Sequence, residues 1–101
     1  MSEETRNESS EAEVRIGDLL LSSFEVFAGY AWQRLGLIPN PVTGQVEEDL
    51  GEARTAIDVC GRLIEFLEPH LDDESRRRVH SALSDLRIQY VKKMGAGGSG
   101  G

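Results

Sequence analysis

The chain contains one cysteine, Cys60, which rules out an intramolecular disulfide and any multi-cysteine metal site and fits a reducing compartment. Imidazoles are nearly as scarce. His70 and His80 are the only two, and neither has a second His, Cys or carboxylate at the spacing of a helical or loop metal site, so neither a metal nor a cofactor is expected. The glycines cluster near the C-terminus and not between a strand and a helix, so no phosphate-cradling loop is present. The N-terminus is acidic and has no basic segment leading into an apolar run; without a secretory signal, a cytoplasmic protein is expected. The longest apolar stretch, 16–35, has the length to span a bilayer, but Asp18, Glu25, Gln33 and Arg34 interrupt it.

What charge there is lies unevenly. The formal net charge is -7, and residues 1–14 supply -4 of it, with Glu3, Glu4, Glu8, Glu11 and Glu13 against Arg6. The remaining body is mildly acidic, which disfavours phosphate backbones and anionic lipid, so neither nucleic acid nor a membrane surface is an expected partner. Arg76-Arg77-Arg78 is the one phosphate-binding candidate. Consecutive residues fan around a helix, and Asp72, Asp73 and Glu74 stand one turn before the three arginines, an arrangement that neutralises them in place. The acids lie on polar stripes beside bases, and Cys60 falls within an apolar face; this pattern offers no nucleophile, acid or base, and the chain reads as a non-enzyme.

Helical periodicity dominates the middle of the chain. Over 16–35 the polar positions Asp18, Ser22, Glu25, Gly29 and Gln33 recur every three or four residues, leaving an apolar surface of roughly 240°. A possible capping box at Ser10–Glu13 leaves the start of this helix open between there and Gly17. Gly36 ends the helix, and a connector follows in which Pro39 and Pro41 hold the backbone extended, Asn40-Pro41 and Gly44 form a turn, and Leu37, Ile38 and Val42 pin the strap to the helices. Asp49 and Glu52 form a capping box that opens a helix over 49–68, whose apolar face covers about 200°. On its polar stripe, Asp58 and Arg62 are an acid-before-base pair one turn apart. After a bend at Pro69-His70-Leu71, Asp72 caps a third helix that runs to Met94 and stops at Gly95, with Val79, Ala82, Leu83, Leu86, Tyr90 and Met94 in a narrower stripe.

The expected organisation is therefore a disordered acidic tail over 1–14, an all-α domain over 15–94 and a flexible Gly-rich tail over 95–101. The domain has three helices, the last two forming an antiparallel hairpin and the first joined to them through the Pro-rich connector.

Several short motifs in this order resemble a bacterial family of small helical proteins known as domain of unknown function 1844. They are Leu35-Gly36 followed by Pro39, Pro41, Thr43 and Gly44, then Ala53-Arg54 with Ile57-Asp58, then Asp85-Leu86-Arg87 with Tyr90. The resemblance covers Asp18 to Tyr90 and departs at the bend, where Pro69-His70-Leu71-Asp72-Asp73 replaces a more usual polar turn. It implies a helical fold and a bacterial cytoplasmic origin. The family has no assigned activity, so it transfers no catalytic residues.

Two sets of residues stand out as candidate sites. Phe24, Phe27, Tyr30 and Trp32 on the first helix are candidate interface residues, with Trp32 at the edge of the apolar face as the first anchor. Arg54 and Asp58 on the central helix and Asp85 and Arg87 on the third are candidates for an interhelix charge clasp. Apolar surface beyond what three helices use on each other points to a small interaction or structural protein that forms a homo-oligomer or docks on a helical partner. A carrier holding a small hydrophobic ligand between the first two helices is the alternative.

Overall fold

The computed structural model describes residues 15–100, with side chains described through Gly95. Three α-helices account for most of these residues, and no strand occurs among them: α1 is Ile16–Arg34, α2 is Leu50–Leu67 and α3 is Asp73–Gly100, with a single 3₁₀ turn, Glu68–His70, between the last two. The acidic segment 1–14, including the capping box at Ser10–Glu13, lies outside the described residues. The fold is all-α, as the periodicity predicts.

α1 buries Phe24, Ala28 and Ala31, and Leu35 immediately after it. Their spacing of four, three and four keeps one face toward the core. Its end is a complete Schellman motif: Gly36 N–H donates to the Gln33 carbonyl at 3.0 Å and Leu37 N–H to the Trp32 carbonyl at 3.2 Å. Gly36 adopts φ 78°, the left-handed conformation that a side chain would strain.

The connector holds itself together by polar contacts. The Asn40 side chain accepts from Val42 N–H at 2.8 Å, and Gly44 N–H donates to the Asn40 carbonyl at 2.7 Å. Asp49 N–H reaches back to the Arg34 carbonyl at 2.7 Å, closing the loop onto the end of α1. Leu37, Ile38 and Val42 do not pin the strap, being 41%, 40% and 90% exposed. Glu47 and Glu48 do the tying instead, Glu47 to Arg34 at 3.8 Å and Glu48 to Lys93 at 3.7 Å.

α2 starts where the sequence places it, with Asp49 accepting from Glu52 N–H at 3.1 Å. Only this half of the capping box forms. The Glu52 carboxylate turns away to accept a 2.6 Å hydrogen bond from the Tyr30 hydroxyl on α1. Ala53, Ala56, Ile57, Cys60, Ile64 and Leu67 are buried, a face of about 100° at helical pitch and half the apolar arc that the residues present.

α2 is the element that both neighbours pack on, whereas α1 and α3 touch only slightly. In the contacts α2 makes, residue numbers rise along α2 as they fall along each neighbour. Glu52 meets Tyr30 and Cys60 meets Phe24; Gly61 lies against Leu83 and Arg87, and Glu68 pairs with Arg76. Two glycines permit close approach: a Cβ on Gly17 would come within 3.0 Å of the His70 Cβ, and one on Gly61 within 3.1 Å of an Arg87 guanidinium nitrogen.

α3 is capped by Asp72, which accepts from Ser75 N–H at 2.8 Å. It contributes Val79, Leu83 and Leu86 to the core, with Ala82 and Tyr90 packed alongside and Met94 48% exposed. Gly95 does not end the helix. No glycine past Gly44 takes a left-handed φ among the described residues, and without that reversal the helical backbone continues to Gly100.

Candidate interaction surface

The four aromatic or apolar candidates on α1 do not share one surface. Phe24 is 4% exposed and belongs to the core, where its carbonyl accepts from the Cys60 thiol at 3.8 Å. It is therefore unavailable to a partner. Phe27 and Tyr30 fall on the side of α1 that adjoins α2, and Trp32 falls on the opposite side, since a helix turns about 100° per residue and five residues separate Phe27 from Trp32.

Tyr30 is committed within its own chain. Its hydroxyl donates to Glu52 and accepts from Arg34 Nε at 3.1 Å, and the Arg34 guanidinium lies 5.2 Å from the Tyr30 ring centre. The hydrogen bond to Tyr30 holds Arg34 above its ordinary pKa, so this corner stays charged.

Beside Phe27 the outer faces of α1 and α2 carry a run of apolar side chains. Phe27 is 37% exposed, Leu19 53% and Phe66 64%, and Val59 and Leu63 are half-buried between them. Helical pitch puts Leu19, Phe27, Val59, Leu63 and Phe66 on the same side of the α1–α2 pair. Phe66 belongs to the wide apolar face of α2. The clue to its exposure was the width of that face, since packing uses only about half of a 200° arc.

On the far side of α1, Trp32 overlooks a groove of about 460 Å³ between α1 and α3. Leu21, Ala28, Val79 and Ala82 line its floor, Glu25 stands on the α1 rim, and Ser75 and Arg78 stand on the α3 rim. The seam between α1 and α2, which the sequence offers as a hydrophobic ligand site, is filled by Ala28, Ala31, Ala53, Ala56 and Cys60, each 9% exposed or less.

The charge clasp does not form as expected. Arg54, Asp58, Asp85 and Arg87 are all exposed and make no ion pair among the described residues. Arg87 instead lies over Gly61, sharing a shallow cleft with Asp58, while Arg62 pairs with Glu65 at 3.8 Å in place of Asp58. The actual clasp is at the bend. Arg76 pairs with Glu68 at 3.3 Å and Asp73 at 2.7 Å and donates to the Leu71 carbonyl at 3.0 Å, and His80 contacts the other Glu68 oxygen. Glu68 and His80 are twelve residues apart, a spacing that becomes a contact only once the bend is known.

The arginine cluster is not neutralised in the expected pairs. Asp72 serves as a cap and also feels the Arg78 and Arg76 guanidinium groups, Arg76 pairs with Asp73 and Glu68, and Arg78 donates to the Ser75 hydroxyl at 3.3 Å without forming an ion pair. Arg77 likewise has no ion-pair partner among the described residues. Within the same residues no group of three His, Cys, Asp or Glu side chains could hold a metal ion, and no helix is long and apolar enough to cross a membrane.

The sequence profile of the family described as domain of unknown function (DUF1844) matches residues 18–92. That span takes in nearly all of α1, the connector, α2, the bend and most of α3. No curated protein and no solved structure matches the chain.

Proposed function

We propose, from the premise that the chain belongs to the DUF1844 family, that this protein works in the cytoplasm by helix-to-helix contact and self-associates through the outer face of α1 and α2. The observation that carries this reading is the exposure of Phe66, Leu19 and Phe27 on one side of the helix pair. Aromatic and aliphatic side chains left in water side by side lose roughly 25 cal/mol for every Å² that a partner would cover. The charge at the edge of Val59, Leu63 and Phe66 is Arg62, which is paired with Glu65 at 3.8 Å. A second copy presents the same patch, and a two-fold axis through it joins like to like without another gene product.

Sedimentation equilibrium at micromolar concentration tests this reading. The expected mass is at least that of a dimer, and Phe66→Glu or Phe27→Glu weakens association by tenfold or more, about 1.4 kcal/mol. Ile88→Glu, on an exposed part of α3 away from this face, leaves the mass unchanged. A strictly monomeric wild-type chain that binds no apolar-sensitive dye overturns the proposal.

A further inference from the structure

The groove between α1 and α3 is separate from the patch that holds Phe66, since it opens on the other side of α1. Its floor is apolar and shallow, built from Leu21, Ala28, Val79 and Ala82. Its two rims carry opposite charge: Glu25 on α1, and Arg78 on α3. Both side chains are exposed and neither forms an ion pair among the described residues; Arg78 donates to the Ser75 hydroxyl and feels the Asp72 carboxylate only at longer range. Gly29, one turn along α1 from Glu25, also lines the groove, and a Cβ added there would meet nothing within 4 Å. A glycine inside a helix costs backbone entropy, and its own chain makes no use of the space it leaves.

We infer that this groove is a second self-association surface, at which two copies mate about a two-fold axis running along the groove, with Glu25 of each copy over Arg78 of the other. The charges choose the axis. Rotation about a line along the groove lays the α1 rim of one copy over the α3 rim of the other, so acid meets base twice. Rotation about a line across the groove lays α1 on α1 and α3 on α3, so Glu25 faces Glu25 and Arg78 faces Arg78. Like charges in apposition oppose that pairing, and opposite charges favour the first. A planar guanidinium also suits a carboxylate in two-point contact. Gly29 and Ala28 let the backbones approach closely over the floor, and Trp32 closes one end. With one surface on each side of α1, assembly continues past the dimer. The inference extends the reading that the protein self-associates, but it uses a different face and different residues.

The test is a charge exchange read by sedimentation of the full chain. Wild-type protein at high concentration is expected to include species heavier than a dimer. Glu25→Arg and Arg78→Glu, both at exposed positions, each remove those heavier species and weaken that step by about tenfold or more. The double variant with both exchanges restores it. Trp32 is the only tryptophan in the chain and lies in the groove, so its emission shifts to the blue as the heavier species form in wild type and not in Glu25→Arg. Single exchanges without effect on the sedimented mass, or a double variant that fails to recover, each overturn the inference. Phe66→Glu separates the two surfaces: if it changes nothing while the exchanges act, the patch on α1 and α2 fails and the groove stands.

Discussion

Gly17 and Gly29 lie on the same helix and invite opposite outcomes from one substitution. Around Gly29 there is open space, so Gly29→Ala gains helix propensity without a clash. Calorimetry should show a gain of about 0.5–1 kcal/mol, or roughly 4 °C in Tm. At Gly17 the new methyl would press on the His70 Cβ at 3.0 Å, a contact that neither backbone-anchored atom can rotate away from, so Gly17→Ala should lower Tm. Cys60 is 0% exposed, and burial pushes its thiol up to about 11 from an ordinary 9.0. Native protein should resist alkylation at about pH 8 and react at once on unfolding. The unfolded thiol ionises first as pH rises, so this residue's contribution to stability is complete below 9.0 and declines from there toward about 11, a loss that urea titrations in that window detect and that Cys60→Ala removes. The core role of Cys60 was legible from its position in the apolar face of α2. The separation of Phe24, Phe27 and Trp32 was not, because a wide apolar arc does not state which third of it the neighbouring helices occupy.

At the scale of elements, local signals were read most faithfully where a side chain acts on its own backbone. Asp49, Asp72, Gly36 and the Asn40 turn all do what their types and offsets dictate. Signals that need a distant partner went astray: Glu52 leaves its box for Tyr30, Asp58 loses Arg62 to Glu65, and Gly95 lacks the reversal that would make it a stop. The Asp49 cap should contribute about 1 kcal/mol, measured as the loss in Asp49→Ala, while Asp49→Asn keeps most of it. Asp72 adds a dependence on pH. Hydrogen bonding from Ser75 lowers its pKa from 3.8, so the stabilisation is present above that value and is lost as pH falls through the lowered one. Asp72→Asn keeps the cap without the titration, and acid unfolding followed by circular dichroism should show its stability less dependent on pH below about 4.

For the molecule as a whole, salt distinguishes the two proposed contacts. The patch around Phe66 is built of apolar side chains, with Arg62 at its edge paired to Glu65, so concentrated sodium chloride leaves that association intact or strengthens it. The groove depends on Glu25 and Arg78, and a screening length of about 3 Å at 1 M salt weakens it, so sedimentation in high salt should stop at the dimer. An all-α fold of three helices was legible because period and caps depend on neighbours in sequence. The surfaces were not, since they are what packing leaves over.

The position of α2 between two neighbours that scarcely touch each other also sets how the chain finds its fold. Each pairing closes a loop of modest length, by way of the connector on one side and the bend on the other, so most native contacts are local and folding should be fast, in the microsecond to millisecond range. Either neighbour can meet α2 first, but neither can complete a core without it. Truncations in the buried face of α2, such as Ile57→Val or Ile64→Val, should therefore slow refolding, whereas Leu86→Ala on α3 should mainly hasten unfolding. Stopped-flow chevrons that place the larger refolding effect on α3 would show that the hairpin at the bend, and not the central helix, is the nucleus.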